Sequence, residues 1–280
     1  MHNSILIAFS LVETGTLTLW LIGAVVVPLL VFAMLAHRLE IFVQIRLAER
    51  FGWNAVLWTG WLGTPLHELS HAAMCVLFRH KIVELKLFEP DLKTGRLGYV
   101  KHSWGKNWYE EVGNVFIGVA PLMGGALGLF FLLFMFYPEV LKNGVSALRE
   151  QGSGVSTWGA TWNATTTILA GVCQWTNLFT GRFWLFVYLV LCVGTHMAPS
   201  RSDYDGAKRG VTLLAMIVFT AVALLCLVTG NSSTLLPAVM ELMAPLVALL
   251  LLSVTLCVVA AGVIFLVTIP FRQRYAFKPK

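Results

Sequence analysis

The feature that most constrains this chain is a series of apolar stretches, each about as long as a membrane-spanning helix. In hydrocarbon every backbone N–H and C=O group must be bonded internally, so such stretches fold as helices or as a closed barrel. About 20 apolar residues suffice for one helical span. Only 12% of the 280 residues are charged, against about 25% in a soluble domain. The sequence therefore predicts an all-α polytopic membrane protein whose membrane domain takes up nearly all of its length.

About six transmembrane helices are predicted, at roughly 17–36, 53–78, 112–137, 183–197, 211–228 and 243–269. Residues 37–52 alternate charged and bulky apolar side chains, which is typical of an amphipathic helix at the membrane interface. Residues 81–102 contain two segments of period two around a turn, which predicts a small β-hairpin. The Gly, Ser and Thr clusters of residues 138–180 indicate an extracytoplasmic loop.

These elements divide the chain into three predicted regions. Residues 1–52 hold the first span and the interfacial helix, and residues 211–280 hold two C-terminal spans and a basic tail. Between them, residues 53–210 form a core of three spans with the hairpin and the loop.

The net charge of +6 does not indicate a nucleic-acid partner, because the basic residues lie in short loops between apolar stretches. Such placement follows the positive-inside rule and predicts that the 79–106 loop, the 201–210 loop and the tail are cytoplasmic. The same alternation puts residues 37–52 outside, although three arginines lie there.

The five cysteines occur singly and form no C-x-x-C pair. Neither a disulfide framework nor a thiolate metal site is indicated. His80 and His102 flank the hairpin and are interpreted as surface groups.

Within the second predicted span, residues 67–71 read His-Glu-Leu-Ser-His, and Glu68 is the only formal charge from Trp53 to Phe78. A carboxylate at the bilayer centre costs about 2.5–3.5 kcal/mol on insertion scales, which favours a functional role. Residues i and i+4 of a helix face the same way, so His67 and His71 can bind one metal ion together. Glu68 is the predicted catalytic residue, a base that accepts a proton from water. The motif predicts zinc-dependent hydrolysis.

Catalytic zinc usually takes three protein ligands and leaves one position for water. The third ligand is expected just after the fourth span, where Pro199 should unwind the helix and let a side chain fold back. The candidates there are His196, Asp203 and Asp205.

With these motifs in hand, the chain resembles the site-2 protease family of intramembrane zinc metalloproteases over about residues 53–210. The His67-Glu68-x-x-His71 motif matches the family fully. The hairpin at 81–102 resembles the β-element that follows the first core helix, and residues 118–122 resemble the glycine-proline segment of the second.

The third motif departs from the family pattern. His196-x-x-Pro199 stands where Asn-x-x-Pro is usual, and the family spacing would place the third ligand at Tyr204. Asp203 precedes that position by one residue and is favoured as the third zinc ligand. Asp205, which keeps the family's Asp-Gly pair, and His196 remain open.

The resemblance implies regulated intramembrane proteolysis in a bacterial inner membrane. It implies Zn²⁺ as the cofactor, a membrane-protein substrate helix cut within or near the lipid bilayer, and a regulatory membrane partner. The alternative is a non-catalytic metal-binding scaffold or chaperone of the same fold. A metal transporter is disfavoured, because three of the predicted spans carry almost no polar groups.

Overall fold

The computed structural model describes residues 2–91, 94–105, 107–149, 157–229 and 235–270. Within these residues the chain forms nine helices and two strands. The elements are α1 (His2–Phe51), α2 (Trp53–Leu77), β1 (Lys81–Lys86), β2 (Tyr99–Ser103), α3 (Trp108–Phe136), α4 (Pro138–Arg149), α5 (Thr157–Val172), α6 (Trp175–Leu178), α7 (Gly181–Gly194), α8 (Arg201–Thr229) and α9 (Leu235–Thr268).

Helix α1 is continuous, so the expected span at 17–36 and interfacial segment at 37–52 are parts of one helix. Two polar residues of its second half, Glu40 and Gln44, line a cavity inside the bundle, whereas His37 and Arg38 are exposed. Gln44 donates a hydrogen bond to Glu40 and a second one to the Thr195 carbonyl. Helix α1 ends at Phe51, because Gly52 follows with a φ of 81°, which breaks the helix.

The predicted hairpin is confirmed. Strands β1 and β2 pair antiparallel from Lys81↔Ser103 to Lys86↔Tyr99, with an irregularity between Ile82 and Glu84. Leu97, in the connection between the strands, is buried against Ala48 and Val56 and so fastens the hairpin to α1 and α2.

Helix α3 is the glycine-rich element, and its glycines let the neighbouring helices approach closely. An added Cβ at Gly124 would meet the Ser70 side chain of α2, and one at Gly118 would lie 2.7 Å from the Asp203 carbonyl oxygen of α8. At its start, the Asn107 side chain accepts a hydrogen bond from the Glu110 N–H at 2.9 Å. Helix α3 therefore lies in contact with both helices that carry the candidate site.

Within the segment 138–180, for which a loop was expected, residues 138–149 and 157–172 are helical, and α4 and α5 form an antiparallel pair. Gly144 contacts Ile168 and Gly171 contacts Val140, so small residues lie where the two helices touch. The Thr-rich sequence of α5 has low helix propensity, and this packing overrides it.

Helix α7 ends at Gly194, earlier than the expected end near Met197 and before Pro199. Residues 195–200 are non-helical, as the proline predicts, and α8 then begins at Arg201. The core boundary proposed after residue 210 falls inside α8.

Among the described residues, three helical segments are long and apolar enough to cross a membrane: Val26–Phe51, Trp108–Phe136 and Glu241–Thr268. A fourth is added if Arg201–Lys208 and Gly210–Leu224, which meet at 47°, count as one span. Six spans are thus not confirmed. Polar residues lower the hydropathy of α2, and α7, with 14 residues, is only about 21 Å long.

Large apolar side chains cover much of the outer surface of the bundle, which suits contact with lipid rather than water. Trp20, Phe131 and Leu266 are each more than half exposed. The interior is also apolar and is centred on Leu129 of α3, Phe186 of α7 and Leu250 of α9. The chain is a helical bundle of membrane-protein type with a small antiparallel hairpin at one end.

Candidate metal centre

Two imidazoles one turn apart on α2 meet edge to edge. The Nε2 atoms of His67 and His71 lie 3.2 Å apart. The opposite ring nitrogens are held by carbonyl groups of other elements: His67 Nδ1 is 2.7 Å from the His196 oxygen, and His71 Nδ1 is 2.8 Å from the Ile117 oxygen. Because a carbonyl can only accept, each Nδ1 must carry the proton and donate it. In the neutral rings both Nε2 atoms therefore present lone pairs to each other.

Asp203 brings a third acceptor to the same place. It lies in the first turn of α8, where its Oδ2 accepts hydrogen bonds from the Ser200 N–H and hydroxyl, each at 2.6 Å. The Asp203 N–H donates back to the Ser200 hydroxyl at 3.4 Å. This is a capping box, and it fixes the carboxylate at the helix start. The other oxygen, Oδ1, lies 3.4 Å from His71 Nε2.

The arrangement suits a divalent cation. Three lone-pair donors, two imidazole nitrogens and a carboxylate oxygen, lie within 4.8 Å of one another. Facing acceptors repel unless a proton or a metal ion lies between them. In tetrahedral zinc sites with bonds of about 2.0–2.2 Å, ligand atoms are about 3.3 Å apart, close to the 3.2 Å and 3.4 Å found here. The carbonyl partners of the two rings are the outer interactions that orient histidine ligands in metal sites.

Glu68 is buried beside this cluster, in the wall of a cavity of about 470 Å³. The same cavity is lined by His67, His71, Asp203 and residues 95–102 of the hairpin. The motif residues thus face a polar space large enough for a peptide segment.

The structure places the three candidates for the third position differently. Asp203 joins the two imidazoles, whereas the Asp205 carboxylate is exposed and bonded to Lys208 at 2.6 Å. The His196 ring lies outside the cluster, with Nδ1 near the Cys192 carbonyl and the Thr195 hydroxyl. His196 contributes through its backbone, since its carbonyl orients His67.

The hairpin carries its own ionic network on the outer part of the site. Glu84 accepts hydrogen bonds from Lys101 and Tyr99. These bonds hold the pKa of Glu84 below its usual 4.5, and the bond from Lys101 has the larger effect. The same partnership raises the pKa of Lys101 and of Tyr99.

Sequence reasoning missed a second group of metal-ligand residue types. The ligand atoms of Cys75, His80 and His102 lie within 4.8 Å of one another. The interpretation as a surface group is wrong for His80, which is buried, whereas His102 is partly exposed. His80 is 5% exposed. Burial, and in second place the nearby His80 ring, lower the pKa of His102 to about 4. The available signal was the spacing of His67, His71 and Cys75, which places all three on one face of α2.

Comparison with protein-family models, with curated proteins and with solved structures gave no match in any of the three.

Proposed function

We propose that this protein is an intramembrane zinc metalloprotease that hydrolyses peptide bonds of membrane proteins within or near the bilayer. The observation that supports this most directly is the convergence of three lone-pair donors beside a buried glutamate, in a cavity that strand β2 also lines. The proposal agrees with the resemblance of the motifs to the site-2 protease family.

In this proposal His67, His71 and Asp203 hold the ion. Zinc bound there would supply Lewis acidity and lower the pKa of a water ligand toward about 7. Glu68 accepts the proton of the attacking water and then delivers it to the leaving amine. The His196 and Ile117 carbonyls keep both rings in the tautomer that leaves Nε2 free.

The hairpin supplies the surface for the substrate. A helical substrate hides its carbonyls in its own hydrogen bonds and must be extended before it is cut. Residues 98–102, most of them in β2, line the cavity, and in the described residues β2 pairs only with β1. An extended peptide can pair with the remaining edge of β2 and so pass close to Glu68.

Replacing Glu68 with Gln tests the proposal. General acid–base groups contribute about 10²- to 10⁴-fold, so Glu68→Gln should reduce cleavage by at least a hundredfold and leave zinc content unchanged. Glu139→Gln, at an exposed position at the start of α4, is the matched control. The measurements are metal analysis of purified protein and quantitative proteomics of membrane fragments in cells that carry each variant. Wild-type fragment levels with Glu68→Gln would contradict the assignment.

The second candidate is a non-catalytic metal-binding scaffold or chaperone, favoured by the departure of His196-x-x-Pro199 from the family motif. It predicts that Glu68→Gln fully rescues a deletion strain and that no membrane protein accumulates in that strain. A protease predicts the opposite result in both measurements.

A further inference from the structure

The second group of ligand residues lies where α2 ends and the hairpin begins. We propose that Cys75, His80 and His102 form a separate site for a borderline-soft divalent cation of the zinc class. This site is distinct from the centre at His67, His71 and Asp203, and its existence does not depend on proteolytic activity.

The end of α2 brings Cys75 and His80 together through the backbone. Arg79 adopts the left-handed conformation with φ 60°. The His80 N–H then donates to the Cys75 carbonyl at 2.7 Å, and the Arg79 N–H to the Val76 carbonyl at 3.2 Å. This is a Schellman motif, which places the third-last helical residue beside the second residue after the cap. An apolar pair commonly occupies these two positions, but here they hold a thiol and an imidazole.

The third residue of the cluster, His102, belongs to the hairpin. His102 lies on β2 opposite Ile82, and its Nδ1 is 2.9 Å from His80 Nδ1. The indole of Trp104 packs against both rings, with centroids 5.6 Å from His80 and 5.4 Å from His102. The indole thus restricts the positions of both imidazoles.

The hydrogen bonds of His80 direct one ring nitrogen toward the cluster. His80 Nε2 is 2.9 Å from the Glu110 carbonyl of α3, so that nitrogen carries the proton, and the lone pair of Nδ1 faces His102 Nδ1. This carbonyl-held imidazole repeats the arrangement found for His67 and His71.

The donor set selects the ion. A thiolate with two imidazoles suits Zn²⁺ and similar metals, whereas Mg²⁺ and Ca²⁺ require oxygen ligands. Nitrogen ligands of tetrahedral zinc lie about 3.3 Å apart, so the two rings need to separate by only a few tenths of an ångström from the 2.9 Å found here. Cys75 is completely buried, which shields its sulfur from water and suits a site that holds elements together.

Cobalt substitution tests the proposal, because of the two candidate sites only this one includes a cysteine. Full-length protein purified in detergent and titrated with Co²⁺ should develop a thiolate-to-cobalt charge-transfer band in the near ultraviolet. The band should persist in the His67→Ala/His71→Ala variant, which removes the first centre. It should disappear in Cys75→Ser, while Cys173→Ser, at an exposed cysteine, should keep it.

Wild-type protein that binds Co²⁺ without a thiolate band would overturn the proposal. A band that survives in Cys75→Ser would overturn it equally. Should Cys75→Ser fail to fold, His102→Gln on the surface hairpin serves instead and should weaken Co²⁺ binding at the sulfur site at least tenfold. Loss of cleavage in the histidine variant with the band intact would show that the two sites are independent.

Discussion

The two ligand clusters lie in sequence along one face of α2 and differ in what surrounds them. His67 and His71 combine with an aspartate of a distant helix and border a cavity that also contains a buried carboxylate. Cys75 and His80 combine with a histidine of the adjacent hairpin, and Trp104 packs against the two imidazoles. Catalytic zinc sites keep an open position and structural sites are closed. The two proposals therefore assign reaction to one turn of this helix face and attachment of the hairpin to the next.

The largest expected effect distinguishes the two aspartates of α8. Asp203→Ala removes the proposed third ligand of the first centre and should lower its zinc affinity more than a hundredfold, since even outer partners of ligands are worth about 10–100-fold. Asp205→Ala should leave affinity unchanged, because that carboxylate pairs with Lys208 at the surface. Competition with a zinc chelator measures both. Equal losses in the two variants would refute the geometry of the first centre.

A second test concerns the contact between α3 and α8. A Cβ at Gly118 would lie 2.7 Å from the Asp203 carbonyl oxygen and 3.1 Å from Ala207 Cβ. Gly118→Ala should therefore force α8 away, destabilise the protein by about 1–3 kcal/mol as overpacked sites do, and weaken zinc binding at the first centre only. Gly206→Ala, with open space around it, is the control. Thermal unfolding measures the loss of stability, chelator competition measures zinc binding at the first centre, and the Co²⁺ band reports the second site. A band lost with Gly118→Ala would contradict the independence of the two sites.

A third test acts on the second cluster through the backbone. Arg79 adopts a left-handed conformation that Gly accepts freely and a β-branched residue resists, with a cost of about 1–2 kcal/mol. Arg79→Val should shift His80 away from Cys75 and weaken Co²⁺ binding at the sulfur site, whereas Arg79→Gly should preserve it. Both variants lose the contact of the guanidinium with Tyr109, so their difference isolates the backbone. Equal behaviour of the two would mean that the helix end does not position His80.

The smallest effect is expected in the hairpin network. Because hydrogen bonds hold the Glu84 pKa below 4.5 in the folded state, the network stabilises the hairpin above that pH and is lost as the pH falls through the folded value. Glu84→Gln should lower the unfolding temperature slightly at neutral pH and leave it unchanged in acid. Adding Lys101→Gln to that variant should change nothing further. A difference in unfolding temperature between wild type and Glu84→Gln that grew as the pH fell would contradict this prediction.

The sequence could predict the features that depend on near neighbours. His67 and His71 share a face because of their spacing, and the period of two at 81–102 predicted the hairpin. Ser200-Arg201-Ser202-Asp203 has the capping-box pattern that orients Asp203 rather than Asp205. Other features depend on distant contacts. The burial of His80 requires a helix end at Arg79, which has no glycine to signal it, and α4 and α5 are helical because they pack together.

The non-helical segment after α7 has a consequence for how the site is held. Its adjacent carbonyls at Thr195 and His196 accept hydrogen bonds from Gln44 of α1 and His67 of α2 respectively. Hydrogen bonds from two different helices therefore end on neighbouring peptide units, a few residues before Asp203. A substitution that extended α7 through residues 195–200 would engage these carbonyls in hydrogen bonds within the helix, and the His67 ring would then be free to rotate. The alignment of the first centre therefore depends on six residues that supply none of its proposed ligands.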